Sequence, residues 1–146
     1  MILYHFTSRE HWATIEREGL SKGEAPIAAD RWENAVNLTT DPSPKGHGLS
    51  KGEEISPAII AAAIRQHGRA PTNTHWPDKT AVRITTKIRS NNPKLKRWLP
   101  WARKRCEPDY LDRLHLAAGQ KSKHKTWWLY FGTIPPADFV RVDFID

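Results

Sequence analysis

Both ends of the chain read as β-strand, and every helix signal lies between them. Ile2–Phe6 is a short apolar run, while Trp127–Phe131 and Phe139–Ile145 flank Gly132-Thr133-Ile134-Pro135-Pro136. Terminal strands with helices inserted between them argue for one α+β domain over residues 1–146. A length of 146 residues suits a single hydrophobic core.

Local signals fill in the interior. Thr7-Ser8-Arg9-Glu10 matches a capping box, in which a hydroxyl and a carboxylate satisfy the first free N–H groups of a helix. Trp12, Ile15 and Leu20 give that helix its apolar stripe, and Gly19 is its stop. A polar loop is expected to about Asn34, then a strand at Ala35–Thr39 closed by Asp41-Pro42 and Ser43-Pro44. Lys45–Glu54, with three glycines, reads as an exposed, mobile loop. Ser56-Pro57 opens a helix through Gln66 that Gly68 ends. Val82, Ile84, Thr86 and Ile88 alternate with Arg83, Thr85 and Lys87, the period of a half-buried strand. Two helices are expected at Leu95–Arg105 and Asp109–Ala118.

The apolar fraction of 38% and charged fraction of 27% belong to a folded protein rather than a disordered one. No run of about 18 apolar residues exists, so no membrane span is expected. The first residues lack the basic flank and cleavage site of a secretion signal. The single cysteine, Cys106, excludes an internal disulfide framework, and a cytoplasmic protein is the expectation.

Charge is concentrated. Residues 91–125 hold ten Lys/Arg against three acids, a surplus of 10 − 3 = +7 that equals the net charge of the whole chain. Such a patch is the electrostatic footprint of a polyanion-binding surface, although a solvated charged face has the same composition. Lys94, Lys96, Arg97, Arg103, Lys104, Arg105, Lys121, Lys123 and Lys125 are the candidate nucleic-acid contacts.

Simple catalytic signatures are missing. The seven histidines are scattered without metal-ligand spacing, so no metal site is expected. Arg103, Lys104 and Arg105 would favour a Cys106 thiolate, yet no nucleophile motif surrounds it, and a structural cysteine is the better reading. There is no Gly-x-Ser-x-Gly elbow and no Walker loop. Trp12, Trp98, Trp101, Trp127 and Trp128 fall in expected helices or strands and read as core. Trp32 and Trp76 fall in expected loops, where a ring can close over a ligand or pin its loop.

What remains is a pattern. Leu3-Tyr4-His5-Phe6-Thr7-Ser8 precedes a capped helix ending Glu18-Gly19-Leu20, and Val36-Asn37-Leu38-Thr39-Thr40 follows. This resembles the opening of the ADP-ribosyltransferase superfamily, including its RNA 2′-phosphotransferase and DNA-modifying toxin branches. The resemblance covers about the first forty residues, with a weaker echo in Ile134-Pro135-Pro136 and Phe139–Val142.

The resemblance implies a split β-sheet with inserted helices and nicotinamide adenine dinucleotide (NAD) as cofactor and partner. It implies glycosyl transfer of ADP-ribose, here onto a nucleic acid or a nucleic-acid-associated target. His5 would orient the ribose with help from Thr7, Tyr4 and Asn37 would complete the cofactor site, and Thr39 and Thr40 would line the nicotinamide side. Breaking the glycosidic bond develops positive charge on the ribose, so such a site has to stabilise charge and exclude water. Many members carry a glutamate before a late aromatic strand. Here that stretch reads His124-Lys125-Thr126-Trp127-Trp128-Leu129-Tyr130, without a carboxylate. The RNA 2′-phosphotransferase branch uses arginines instead, and Arg83 and Arg69 are the candidates, Arg83 as a catalytic residue. A third possibility is a non-catalytic basic module, such as a phage or toxin effector, that keeps the fold without the transfer.

Overall fold

A computed structural model describes residues 1–145. In chain order the elements are β1 (Ile2–Thr7), α1 (Arg9–Glu18), β2 (Glu24–Ala28), β3 (Arg31–Asn34), β4 (Val36–Thr39), α2 (Pro57–His67), β5 (Val82–Lys87), β6 (Leu95–Arg97), α3 (Trp98–Arg103), α4 (Pro108–Ala118), β7 (Trp127–Tyr130) and β8 (Phe139–Phe144). Tight helical turns cover Gln120–Thr126 and Pro136–Asp138. The class is mixed α+β. Six strands form one sheet in the order β6-β7-β4-β1-β5-β8, and β2 and β3 pair as a separate hairpin. Every pairing between these strands is antiparallel.

The sheet is unevenly joined. β1 and β5 match over six residue pairs, Ile2↔Lys87 through Thr7↔Val82, and β4 and β7 match over four. Between β1 and β4 only Tyr4↔Thr39 is in register. The sheet is therefore two three-stranded halves, β6-β7-β4 and β1-β5-β8, meeting at one residue pair.

Alternation along each strand sends side chains to two faces. On one face Leu3, Val36, Leu38, Val82, Ile84 and Leu95 build a core with Leu20 and Ile134, and Trp12 and Ile15 of α1 close over it. On the other, Leu129 packs with Ala25, Ala35, Trp98, Trp101, Ala102, Cys106 and Leu111 beneath α3 and α4. At about 25 cal/mol per Å² of apolar surface, these two clusters carry most of the folding drive.

Several expectations are corrected. The N-cap of α1 is Ser8, not Thr7: the Ser8 hydroxyl accepts from the His11 N–H at 3.3 Å, while Thr7 stays in β1 opposite Val82. Glu10 consequently falls one residue short of the third helical position that a capping box requires. The expected loop before Asn34 contains the β2–β3 hairpin, in which Trp32 is a strand residue, 54% exposed. Leu95–Arg97 is a strand rather than the start of a helix, because it pairs with Trp128–Tyr130, and α3 begins at Trp98. Edge pairing overrides helix propensity there. The Lys45–Glu54 loop is not wholly exposed. His47 is buried, and the Gly48 backbone runs so close to Ala118 that a Cβ would lie 2.8 Å from its Cα. As expected, α2 has Ser56 as N-cap and a left-handed Gly68 as its end. No helix among the described residues is long and apolar enough to cross a membrane.

Candidate functional site

The candidate site is the seam between β1 and β4. The splayed strands leave the Asn37 carbonyl without a ladder partner, and His5 supplies one: its Nδ1–H donates to Asn37 O at 2.8 Å. That bond fixes the tautomer of the neutral ring and leaves Nε2 as a bare acceptor. Nε2 has no bonding partner among the described residues. Burial pushes the His5 pKa down, against the opposing effect of the Asn37 bond, with Lys79 and His11 adding to the lowering. Close to neutral pH, His5 is an uncharged imidazole with one open nitrogen.

The sequence-predicted residues separate around this seam. His5 and Thr7 share the face of Leu3, whereas Tyr4, Thr39 and Arg83 lie on the other. Thr7 is buried in β1. Asn37 donates its side-chain amide to Glu24 O at 3.3 Å, so it ties the hairpin to the seam. The Thr39 hydroxyl is 2.7 Å from that of Thr126 and accepts from the Asp41 N–H, while the Thr126 hydroxyl donates to Lys123 O. Thr40 is exposed at the strand end, its N–H bonded to Thr126 O. Arg83 is already used: it donates to Pro42 O at 3.0 Å and to Asp143 at 3.1 Å, and it sits over the Tyr4 ring at 5.7 Å. That hydrogen bond holds the Asp143 carboxyl below its ordinary range. Arg69 is exposed beyond α2.

Sequence reasoning missed what seals the back of the seam. His47 stacks on Phe6 of β1 and lies against Trp127 of β7, so it spans β4 from the face opposite His5. Its Nδ1 accepts from the Trp127 indole N–H at 2.8 Å. Its Nε2–H points to Asp41 and to Ser43 O, each 3.1 Å away. Lys123 closes the cluster with an ion pair to Asp41. Burial, the largest single influence, would raise the Asp41 pKa, but the hydrogen bonds from Lys123 and the Ser43 N–H, with the charges of Lys123 and His47, together outweigh it and the net shift is downward. Burial lowers the His47 pKa although Asp41 opposes the shift. Beside it, the rings of His115 and His124 stack at 3.8 Å, and the Trp98 indole donates to His115 Nε2 at 2.9 Å. The only sequence trace of this arrangement was a histidine held between Gly46 and Gly48.

The basic quarter is largely at the surface. Lys94, Lys96, Arg97, Arg103, Lys104, Arg105, Lys121 and Lys125 are exposed. Lys123 is half-buried on Asp41, Arg97 lies over Trp128 at 5.9 Å, and Arg105 lies over Trp101 at 4.6 Å. Cys106 is buried, its thiol directed at Pro26 O, and burial raises its pKa despite the neighbouring cations. Among the described residues no three His, Cys, Asp or Glu side chains are placed to hold a metal ion.

Cavities of about 220 and 250 Å³ open among the described residues, and neither of these is lined by Tyr4, His5, Thr7, Asn37, Thr39 or Thr40. No family model matches the chain, and no curated protein or solved structure matches it either.

Proposed function

We propose that the chain is an ADP-ribosyltransferase-like domain that holds NAD at the β1–β4 seam and modifies a nucleic acid or a target bound to one. One observation carries the reading: the sheet is divided at a single residue pair, and across the gap a neutral His5 keeps Nε2 free. A divided sheet is what the resemblance of residues 1–40 implies, and His5 is the residue to which the resemblance gives the orienting of the ribose.

The donor set fits the ribose side of the cofactor. His5 Nε2 can accept from a ribose hydroxyl, and its bond to Asn37 O keeps the ring from turning away. Thr40, exposed at the end of β4, is free to meet the nicotinamide side. Thr39 fits less well, since its hydroxyl would first have to leave Thr126. When bound, the dinucleotide supplies an activated ribosyl group with nicotinamide as leaving group. The chain's part is to orient the ribose through His5 and to keep water out through the His47–Trp127 closure behind the seam.

A second reading rests on one further observation. Just before β7, where a transferase glutamate would be expected, Thr126 stands hydrogen-bonded to Thr39. That favours a relative that binds the dinucleotide without transfer. The RNA 2′-phosphotransferase reading is weaker, because Arg83 is committed to Asp143 and Pro42 on the opposite face from His5.

Calorimetry with NAD, and nicotinamide release in the presence of RNA, single-stranded DNA or cell extract, test these readings together. Binding with release supports the transferase, and binding without release supports the second reading. His5→Ala is expected to abolish either, while Cys106→Ala leaves both intact. The absence of both binding and release would sink the assignment.

A further inference from the structure

The cavity of about 220 Å³ opens at the end of β5, two residues along the strand from the Ile84 that pairs with His5. Lys87 and Arg89 line it with Asn92 and Tyr130, and neither cation has a carboxylate partner among the described residues. Asp138 also lines it, so the local balance is one positive charge. A further cation lies next to it: the Lys94 stem and the Tyr130 ring crowd Gly132 together, at 3.0 and 3.3 Å from where its Cβ would be.

From that cavity an aromatic row runs along β7. Tyr130 and Trp128 alternate onto one face, about 7 Å apart by strand geometry, and both stay partly exposed. Across the ladder Tyr130 faces Leu95, and Trp128 faces Arg97, whose guanidinium lies over the indole at 5.9 Å. Aromatic rings on an antiparallel sheet, interleaved with unpaired cations, suit a ligand that presents flat rings and regular negative charge. An unpaired nucleic-acid strand does both, since its bases are free to stack and its phosphates follow at each step. A duplex hides its bases, so the rings would add nothing to its binding.

We propose that this surface binds a single-stranded nucleic acid, with a base against Tyr130, phosphates on Lys87 and Arg89, and the strand continuing past Trp128 and Arg97. The inference rests on the nucleic-acid half of the function proposed above and assigns residues that the basic quarter does not contain, Lys87, Arg89 and Tyr130, with Asn92 at its edge.

The test is fluorescence anisotropy on the full chain, without NAD, using labelled twelve-nucleotide uridine RNA, thymidine DNA and a duplex of equal length over a salt series. Both single strands are expected to bind more tightly than the duplex, and the stronger of the two names the natural strand. Lys87→Ala and Arg89→Ala should each flatten the slope of log affinity against log salt by about 0.7. Tyr130→Leu should weaken binding about tenfold, and Tyr130→Phe, which keeps the ring and the packing, should restore it. Arg65→Ala, an exposed cation of α2 outside both this surface and the basic quarter, should change affinity less than about twofold. Duplex binding as tight as single-strand binding would overturn the proposal, as would equal competition by a polyglutamate peptide or unaltered affinity in Lys87→Ala and Arg89→Ala. Nicotinamide release measured on the same preparation separates the two assignments. Strand binding without release leaves this surface standing, and release without strand binding removes it.

Discussion

Two histidines flank the same seam and are built to opposite ends. His47 has both ring nitrogens engaged, by Trp127 on one side and by Asp41 and Ser43 on the other, and its ring lies on Phe6. His5 has one nitrogen engaged, by a main-chain carbonyl that the splayed strands would otherwise leave bare. A side chain with every polar atom satisfied inside the fold has nothing left to offer a ligand. A half-satisfied one on a fixed tautomer does. The difference teaches that a histidine's role is read from its second nitrogen, not from its burial.

Unequal roles predict unequal costs. His47→Ala strands the Trp127 indole N–H, removes a partner from Asp41 and opens space under Phe6. Leaving buried polar groups unpaired costs about 1–3 kcal/mol, and the cavity adds to that, so a loss of about 3 kcal/mol is expected in urea unfolding. His5→Ala removes a single bond to a carbonyl and should cost about 1 kcal/mol, while on the proposed reading it should abolish NAD binding. If the two variants are equally destabilised, or if His47→Ala alone loses the cofactor, the contrast drawn here is broken.

Acid sharpens the same contrast from another side. Burial lowers the pKa of His5, His47, His115 and His124 alike, with the neighbouring His124 adding to the effect on His115 and Lys125 and Arg103 adding to that on His124. In the unfolded chain each takes up a proton near pH 6.5, and in the fold each does so at lower pH. Between those values the unfolded state binds more protons, so stability falls as pH drops below about 6.5, until the folded-state values are passed. The melting temperature should decline steadily from pH 7 to pH 5. The stacked pair is the steepest contributor expected, since two protonated rings at 3.8 Å repel. His124→Gln should flatten the decline more than His5→Gln does, and an equal flattening would mean that the stack does not matter. The lowered Asp41 and Asp143 carboxyls act in the same direction only further down, where falling pH protonates them below the usual carboxylate range.

Much of the frame was legible because its signals are local. The period-two run of β5, the Ser56-Pro57 start of α2 and its Gly68 end each follow from a few adjacent residues. The strand carrying His5 was legible for the same reason. The closure behind it was not, because Asp41 and His47 come from one stretch, Lys123 and Trp127 from another, and the two meet only through the tertiary fold. The position of Arg83 relative to His5 was not legible for a simpler reason. Its strand was read correctly, but which face it shares with His5 depends on the register Phe6↔Arg83, and no single sequence reveals a register. Leu95–Arg97 went the same way, since its strand state comes from the β7 edge rather than from its own residues.

The smallest effect tests where the seam ends and α1 begins. Ser8 is fully buried, caps the helix through the His11 N–H and approaches the His11 ring at 3.0 Å, whereas Thr7 completes β1. Losing a hydroxyl cap costs about 1 kcal/mol, so Ser8→Ala should lower stability by that amount in denaturant unfolding. Glu10→Ala, which would be comparable if a capping box were present, should cost only a few tenths of a kcal/mol through the helix dipole. Thr7→Val keeps the shape and the β-branch of a buried strand residue and should fall within about 1 kcal/mol of the parent. Should Thr7→Val prove costlier than Ser8→Ala, the helix would start one residue earlier. Thr7 would then leave the strand that holds His5, and the seam would lose the rigid edge on which its open nitrogen depends.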